Sequence, residues 1–296
     1  MSGLLALDWG TSSLRGALMD GEGRVVEERS FARGILSVSP GGFPAVFEEL
    51  FGDWAAQVPL CLVSGMAGSK QGWVEAPYCA CPAGFGDVAE ALRWIASGTT
   101  RLAIVPGLSC ENGGVPDVMR GEEVQVFGAL QLLDLQDATL VLPGTHSKWV
   151  RAVNGRIEGF RSFMTGEFYA LLRQHSILSR TLPEEDGALD EAAFSQGVAH
   201  ALSSTSLLQT AFSVRTLSLF DRMPAAAMPS YLSGLVIGEE LRAQPPDSAQ
   251  EVVVMGSGVL TRRYELALAQ RGVQVRTAGS EATWQGLWAL ARTLAS

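Results

Sequence analysis

Chemistry is most legible at Asp8-Trp9-Gly10-Thr11-Ser12-Ser13-Leu14-Arg15, where an acid ends an apolar strand and a turn of small residues follows. A carboxylate so placed suits Mg²⁺, which is held through one or two acids and keeps part of its water shell. Gly10 lets the backbone approach a phosphate, and Thr11, Ser12 and Ser13 bring hydroxyl donors. The same pattern returns at Leu140-Val141-Leu142-Pro143-Gly144-Thr145-His146-Ser147-Lys148-Trp149-Val150. Each copy continues into a second Gly turn, Gly23-Arg24-Val25 and Gly155-Arg156-Ile157, so each reads as a β-hairpin. One such hairpin alone is equally a plain Asx-type turn. Two of them, tipped with N–H groups and hydroxyls, could close on a phosphate chain from both sides.

Three further stretches carry chemistry beside a bland reading. Val252 to Gly258 is strand-Gly256-Ser257-Gly258-helix, and Thr261 stands where a dinucleotide fingerprint has its third Gly. Alone it is a tight turn; beside two phosphate hairpins it becomes the wall for an adenine ring. Ser64 to Trp73 follows a buried strand and offers Ser69, Lys70 and Gln71 as a ligand edge, or is a surface loop. Asn112 to Glu123 sets acids in and after a Gly-rich loop that leads into a helix. Capping and dipole compensation account for Glu122 and Glu123. Asp117, in the loop, is the leading general base for a substrate hydroxyl, and Glu122 the second. His175 and His200 fall in helical stretches and read as structural, and most tryptophans as core.

These residues need a scaffold of matching size. The 296 residues fit two domains, placed here at 1–136 and 137–296. Apolar content of 47% and a mean hydropathy of +0.17 require a well-buried globular chain. Strands and helices alternate, which gives an α/β class with a central sheet. Helices are predicted at Phe43–Ala56, Asp87–Ala96, Glu122–Leu133, Phe168–His175, Asp190–Phe212, Tyr231–Arg242, Thr261–Arg271 and Thr283–Leu294. A net charge of −9 without a basic run disfavours a nucleic-acid partner. Cys61, Cys79, Cys81 and Cys110 lack zinc-site spacing and read as free thiols. The N-terminus has no signal-peptide pattern, and no stretch reaches the about 20 apolar residues of a membrane helix. The expectation is a soluble cytoplasmic protein.

The two Gly-Thr hairpins with the late strand-Gly-Ser-Gly-helix resemble the phosphate 1, phosphate 2 and adenosine motifs of the actin, hexokinase and heat-shock-chaperone superfamily. Asp8 to Gly16, Met119-Arg120-Gly121-Glu122-Glu123, Pro143 to Val150 and Phe163-Met164-Thr165-Gly166-Glu167 are similar to the 2-keto-3-deoxy-galactonate kinases, from first strand to last helix. The resemblance implies two actin-like (ribonuclease H-like) domains with a duplicated hairpin-led core and ATP in a cleft between them. It implies Mg-ATP-dependent phosphorylation of the 6-hydroxyl of 2-dehydro-3-deoxy-D-galactonate, in galactonate or galactose catabolism. Asp8 would hold Mg²⁺, Gly10 to Ser13 and Gly144 to Ser147 would grip phosphates, and Gly256, Ser257 and Gly258 would border adenosine. Ser69, Lys70 and Gln71 would meet the sugar acid. The catalytic acid lies where both Asp117 and Glu122 stand. Arg15, Lys70, Arg120 and Lys148 are the cations for the substrate carboxylate; Lys70 and Arg120 are preferred, with Lys148 placed on ATP. Rival readings are a kinase for another sugar or sugar acid, a nucleotide-driven switch without an acceptor, and a phosphate-releasing hydrolase.

Overall fold

The structure is a computed structural model that describes residues 3–96, 100–246, 250–256 and 258–294. The chain forms two compact units. The first takes the residues up to Ala138, then Val150–Phe160, and the segment from Ser280 onward; the second takes Thr139–Trp149 and Arg161–Gly279. This differs from the contiguous split at 136/137, because the last helix and part of the second hairpin group with the first unit.

The first unit opens with β1 (Leu4–Trp9), β2 (Leu14–Met19) and β3 (Val25–Phe31), followed by α1 (Phe43–Ala55) and β4 (Leu60–Gly65). It continues through β5 (Tyr78–Ala80), α2 (Phe85–Glu90), β6 (Arg93–Ile95), β7 (Arg101–Ile104), β8 (Gly107–Asn112), β9 (Val115–Met119) and α3 (Glu122–Leu132). Its main sheet runs β3-β2-β1-β4-β7-β6, with β1 antiparallel to β2 and parallel to β4. The central strands β1 and β4 are covered on both faces, hence their unbroken apolar runs. One of those covers is α1, whose Phe43, Val46, Phe47, Phe51 and Trp54 are buried in the core that holds Leu5, Leu7, Trp9, Cys61 and Val63.

Two predictions fail here. The helix expected at Asp87–Ala96 ends at Glu90, because Arg93–Ile95 pairs antiparallel with β7 and finds its backbone partners there. The Gly-rich loop expected to reach Asp117 is the β8–β9 hairpin, with Gly113 and Gly114 at φ +63° and +82°. Two consecutive positive φ values make the two-residue turn whose twist matches its strands. Asp117 is therefore a strand residue, paired with Cys110.

Beyond α3 come β10 (Ala138–Leu142), β11 (Ser147–Val153), β12 (Arg156–Phe163), α4 (Thr165–His175), α5 (Glu191–Leu202) and α6 (Leu207–Thr210). Then follow α7 (Ser213–Leu219), α8 (Met228–Ala243), β13 (Val252–Met255), α9 (Gly258–Ala269), β14 (Val275–Ala278) and α10 (Glu281–Thr293). The helix expected over Asp190–Phe212 is broken at Ser203-Ser204-Thr205-Ser206, whose hydroxyls compete for the backbone groups a helix would use. The second sheet runs β12-β11-β10-β13-β14, which repeats the β3-β2-β1-β4-β7 order of the first.

The repeat extends to the helices. In the first unit α3 and α10 cross so closely that a Cβ on Gly128 would lie 1.7 Å from the Ala282 carbonyl, and one on Gly286 1.9 Å from that of Val124. In the second, α5 and α8 cross at Gly197 and Gly234, where a Cβ would lie 2.2 Å and 2.1 Å from the carbonyls of Tyr231 and Phe194. The α3–α10 crossing is why the C-terminal helix belongs with the first unit.

Candidate functional site

In the first unit the ends of β1, β4 and β9 converge on Asp8. A Cβ on Gly65 would lie 2.8 Å from the Trp9 carbonyl and 3.1 Å from Asp8 Oδ1, and one on Gly121 would lie 3.1 Å from Gly65 Cα. Both glycines have positive φ, +87° and +102°, so neither position tolerates a side chain. The cradle brings the N-terminus of α3, and Glu122 with it, toward the acid of the first hairpin.

Asp8 pairs through Oδ2 with Arg15 Nη2 at 2.5 Å, and the Arg15 guanidinium lies over the Trp284 ring at 5.6 Å. Oδ1 accepts no hydrogen bond among the described residues and faces the Gly65 cradle. Thr11, Ser12 and Ser13 are exposed at the tip, and the backbone is braced by Ile35 N–H donating to the Gly10 carbonyl at 3.0 Å.

Four titratable groups flank the start of α3. Glu122 Oε2 accepts the Arg120 N–H at 2.9 Å, and Glu123 Oε2 accepts the Gly121 N–H at 2.7 Å. Glu123 is fully buried and its Oε1 has no partner; burial first, and the Glu122 charge second, push its carboxyl up to about 8. Arg120 lies over the Tyr78 ring at 4.3 Å and donates from Nη2 to the Ala76 carbonyl at 2.9 Å. Its Nε and Nη1 are buried without partners, as is the hydroxyl of Ser69. Asp117 stands further along β9, where Oδ1 accepts the Val118 N–H at 2.8 Å. Lys70 and Gln71 are exposed on the rim of a cavity of about 440 Å³ walled by Phe43, Pro44 and Trp73. Trp73 packs on Trp9 at 6.0 Å, which ties this wall to the residue after Asp8.

In the second unit a cavity of about 250 Å³ is lined by Gly144, Thr145, Thr165, Gly166, Tyr169, Arg263, Tyr264 and apolar residues of α8 and α9. The hairpin tip is pinned from behind, since Glu167 N–H donates to the Thr145 carbonyl at 3.0 Å and a Cβ on Gly166 would lie 2.5 Å from the Gly144 carbonyl. His146 Nε2 meets Glu167 Oε2 at 2.6 Å. Arg263 Nε and the Tyr169 hydroxyl are buried without partners. Gly256 and Gly258 lead into α9, which supplies Arg263 and Tyr264; Ser257 lies outside the described residues. Lys148 is 5% exposed and has no ion-pair partner among the described residues.

Ser147 departs from its expected place. It is fully buried, and its hydroxyl donates to Glu240 at 2.7 Å instead of facing the tip. Sequence reasoning missed Glu240, Glu123, Tyr264 and Arg263. The one signal for Glu240 was an acid within the long apolar stretch of α8, four residues after Val236.

The sequence profile of the 2-keto-3-deoxy-galactonokinase family matches residues 8–290. A Rhizobium meliloti (strain 1021) protein named for 2-dehydro-3-deoxygalactonokinase activity is 37% identical over 98% of this chain and 96% of its own. The 2-dehydro-3-deoxygalactonokinase of Escherichia coli (strain K12) is 33% identical over 99% of this chain and 98% of its own. A crystal structure from Sinorhizobium meliloti, described under the same activity, superposes with a TM-score of 0.86 at 35% identity, covering 98% of this chain and 96% of that one. With the repeated sheet order, these likenesses establish a two-domain actin-like α/β fold, and the chain belongs to the 2-keto-3-deoxy-galactonokinase family.

Proposed function

We propose that the protein is an ATP-dependent kinase that phosphorylates the 6-hydroxyl of 2-dehydro-3-deoxy-D-galactonate in the cytoplasm. The observation that carries the reading is the cradle of Gly65 and Gly121, which packs the residue before the helix start at Glu122 against the strand end next to Asp8. Full-length likeness to kinases named for this sugar acid supports the substrate.

In this reading the cavity bordered by Gly144, Thr145, Arg263 and Tyr264 receives the nucleotide, and the first unit receives the sugar acid. Buried donors without partners mark where ligands complete the hydrogen bonding, because an unpaired buried polar group costs about 1–3 kcal/mol. Arg120 Nε and Nη1 with Ser69 Oγ are that mark for the substrate carboxylate, and Lys70 serves the rim of the neighbouring cavity. Arg15 is withdrawn from the carboxylate role by its pairing with Asp8.

Glu122 is the better base than Asp117. It stands next to Gly121, in the contact chain to Asp8, whereas Asp117 sits three residues before Arg120 on an edge strand of the small sheet. Glu122 takes the proton of the 6-hydroxyl as that oxygen attacks the γ-phosphorus; the bond to the bridging oxygen breaks and ADP leaves. Phosphoryl transfer asks the protein mostly for alignment and charge neutralisation, which the turn N–H groups and Lys148 serve. Asp8 fits Mg²⁺, since Oδ1 is unclaimed in a glycine cradle and one carboxylate suffices when phosphates complete the shell. When bound, Mg²⁺ would neutralise phosphate charge.

The test is ADP formation with Mg-ATP, with and without 2-dehydro-3-deoxy-D-galactonate, beside its gluconate epimer and other sugar acids. ADP that forms only with the galactonate compound supports the reading. Turnover with another acid alone reassigns the substrate, and ADP release indifferent to any acid leaves a switch or hydrolase.

A further inference from the structure

Glu240 is the one carboxylate of α8 that points into the protein without a cation: it is 2% exposed and has no ion-pair partner among the described residues. Four neutral donors surround it. Ser147 Oγ (2.7 Å), the Tyr264 hydroxyl (2.9 Å) and Thr165 Oγ1 converge on Oε2, and Trp149 Nε1 donates to Oε1 at 2.6 Å. Burial holds its carboxyl pKa above the ordinary value, and these donors offset part of that rise. An acid kept inside at this cost must do something that a leucine would not.

The donors show what that is. Ser147 ends the Gly-Thr turn, Thr165 opens α4 immediately before Gly166, and Tyr264 lies in α9; the same three elements wall the 250 Å³ cavity. Glu240 itself is absent from the lining of that cavity. We propose that Glu240 is a positioning residue for the nucleotide, holding the second turn, the Thr165–Glu167 turn and α9 in register so that phosphate and adenosine contacts are set by one buried acid. The proposal rests on the reading that the nucleotide occupies this cavity.

Glu240→Gln keeps the volume but changes the donor logic. Trp149 can only donate, so the amide oxygen must face it. The amide NH₂ then faces three hydroxyls, each of which must turn round to accept, and the turn loses its common anchor. Loss of the hydrogen bonds that converge on Oε2 predicts a KM for ATP raised about tenfold, with KM for the sugar acid within about twofold. Tyr264→Phe and Ser147→Ala, which delete one donor each, should move KM for ATP in the same direction by about three- to fivefold. The double variant Glu240→Gln/Tyr264→Phe should be no worse than Glu240→Gln, because both act through one contact.

A melting curve accompanies each variant, and an azido-ATP photoprobe on the wild-type protein reports where the nucleotide sits. Labelled peptides from α4 or α9, with KM for ATP alone rising, uphold the proposal. Labelling there with KM for ATP unchanged, or with both KM values rising together, overturns the positioning role and leaves the nucleotide site intact. Labelling elsewhere overturns both. Should Glu240→Gln not fold, the single-donor variants decide by the same KM criterion.

Discussion

The two Gly-Thr hairpins share a backbone pattern and a place in their sheets, yet they are held by opposite means. Behind the first turn stands an ion pair, Asp8 with Arg15, half open to solvent, and the tip residues Thr11 to Ser13 are exposed. Behind the second stands Glu240, sealed from solvent and met only by neutral donors, with Ser147 drawn inward. The two buried acids differ in the same sense. Glu123 in the first unit accepts the Gly121 N–H on Oε2 and has an Oε1 without a partner; Glu240 is met by four side-chain donors. The buried acid of the first unit keeps one oxygen without a partner, and the buried acid of the second has both oxygens met by donors.

The sharpest way to break this contrast is at Glu122. Glu122→Gln should lower kcat by a factor of about 10² or more, with Asp117→Asn within about threefold, as steady-state assays would show. The reverse pattern returns the base to Asp117 and removes Glu122 from the charged cluster. Next in size, Arg120→Met should raise KM for the sugar acid about 10- to 100-fold and leave KM for ATP unchanged, the mirror image of Glu240→Gln. A rise in both constants would erase the division of labour between the units.

The architectural side of the comparison is tested by Gly128→Ala and Gly234→Ala. Each forces a methyl against a carbonyl across a helix crossing, so each should cost about 1–3 kcal/mol in urea unfolding. If only one of them destabilises, the two crossings are not equivalent.

The smallest effect concerns Glu123. Its folded-state pKa, about 8, lies above the ordinary 4.5, so the folded protein holds that proton more tightly than the unfolded chain does. The stability this contributes is present below about pH 4.5 and is lost as pH rises through 8. Melting temperatures followed from pH 6 to 9 should therefore fall less steeply for Glu123→Gln than for the parent protein, with a difference in slope of at most about 1.4 kcal/mol per pH unit. Parallel curves would show that Glu123 titrates in the fold as it does in the unfolded chain.

Much of this is legible in the sequence. The repeated strand-Gly-Thr-strand-Gly strings marked both hairpins because strands and tight turns are encoded locally, by apolar runs and by glycine. The Gly-Arg-aliphatic turns after Met19 and Val153, the start of α1 at Phe43 and the helical span from Glu122 all follow from spacing within a dozen residues. The family too was written in short strings. Local signals failed where partners lie far along the chain. Arg93–Ile95 became a strand because β7 offered an edge, and Asp190–Phe212 broke because a run of hydroxyls found other partners.

What the sequence by itself determined, then, is the repeat, the two Gly-Thr hairpins and the candidate acids. Only the tertiary structure decided that α10 returns to the first unit, that Asp117 sits in a strand and Glu122 at the cradle, and that Ser147 turns its hydroxyl inward. The physical reason is that each of these outcomes depends on a meeting of residues whose separation no periodicity encodes. Ser147 and Glu240 are 93 positions apart and share a hydrogen bond; a buried charge takes whatever donors folding brings to it, and their identity is settled by packing.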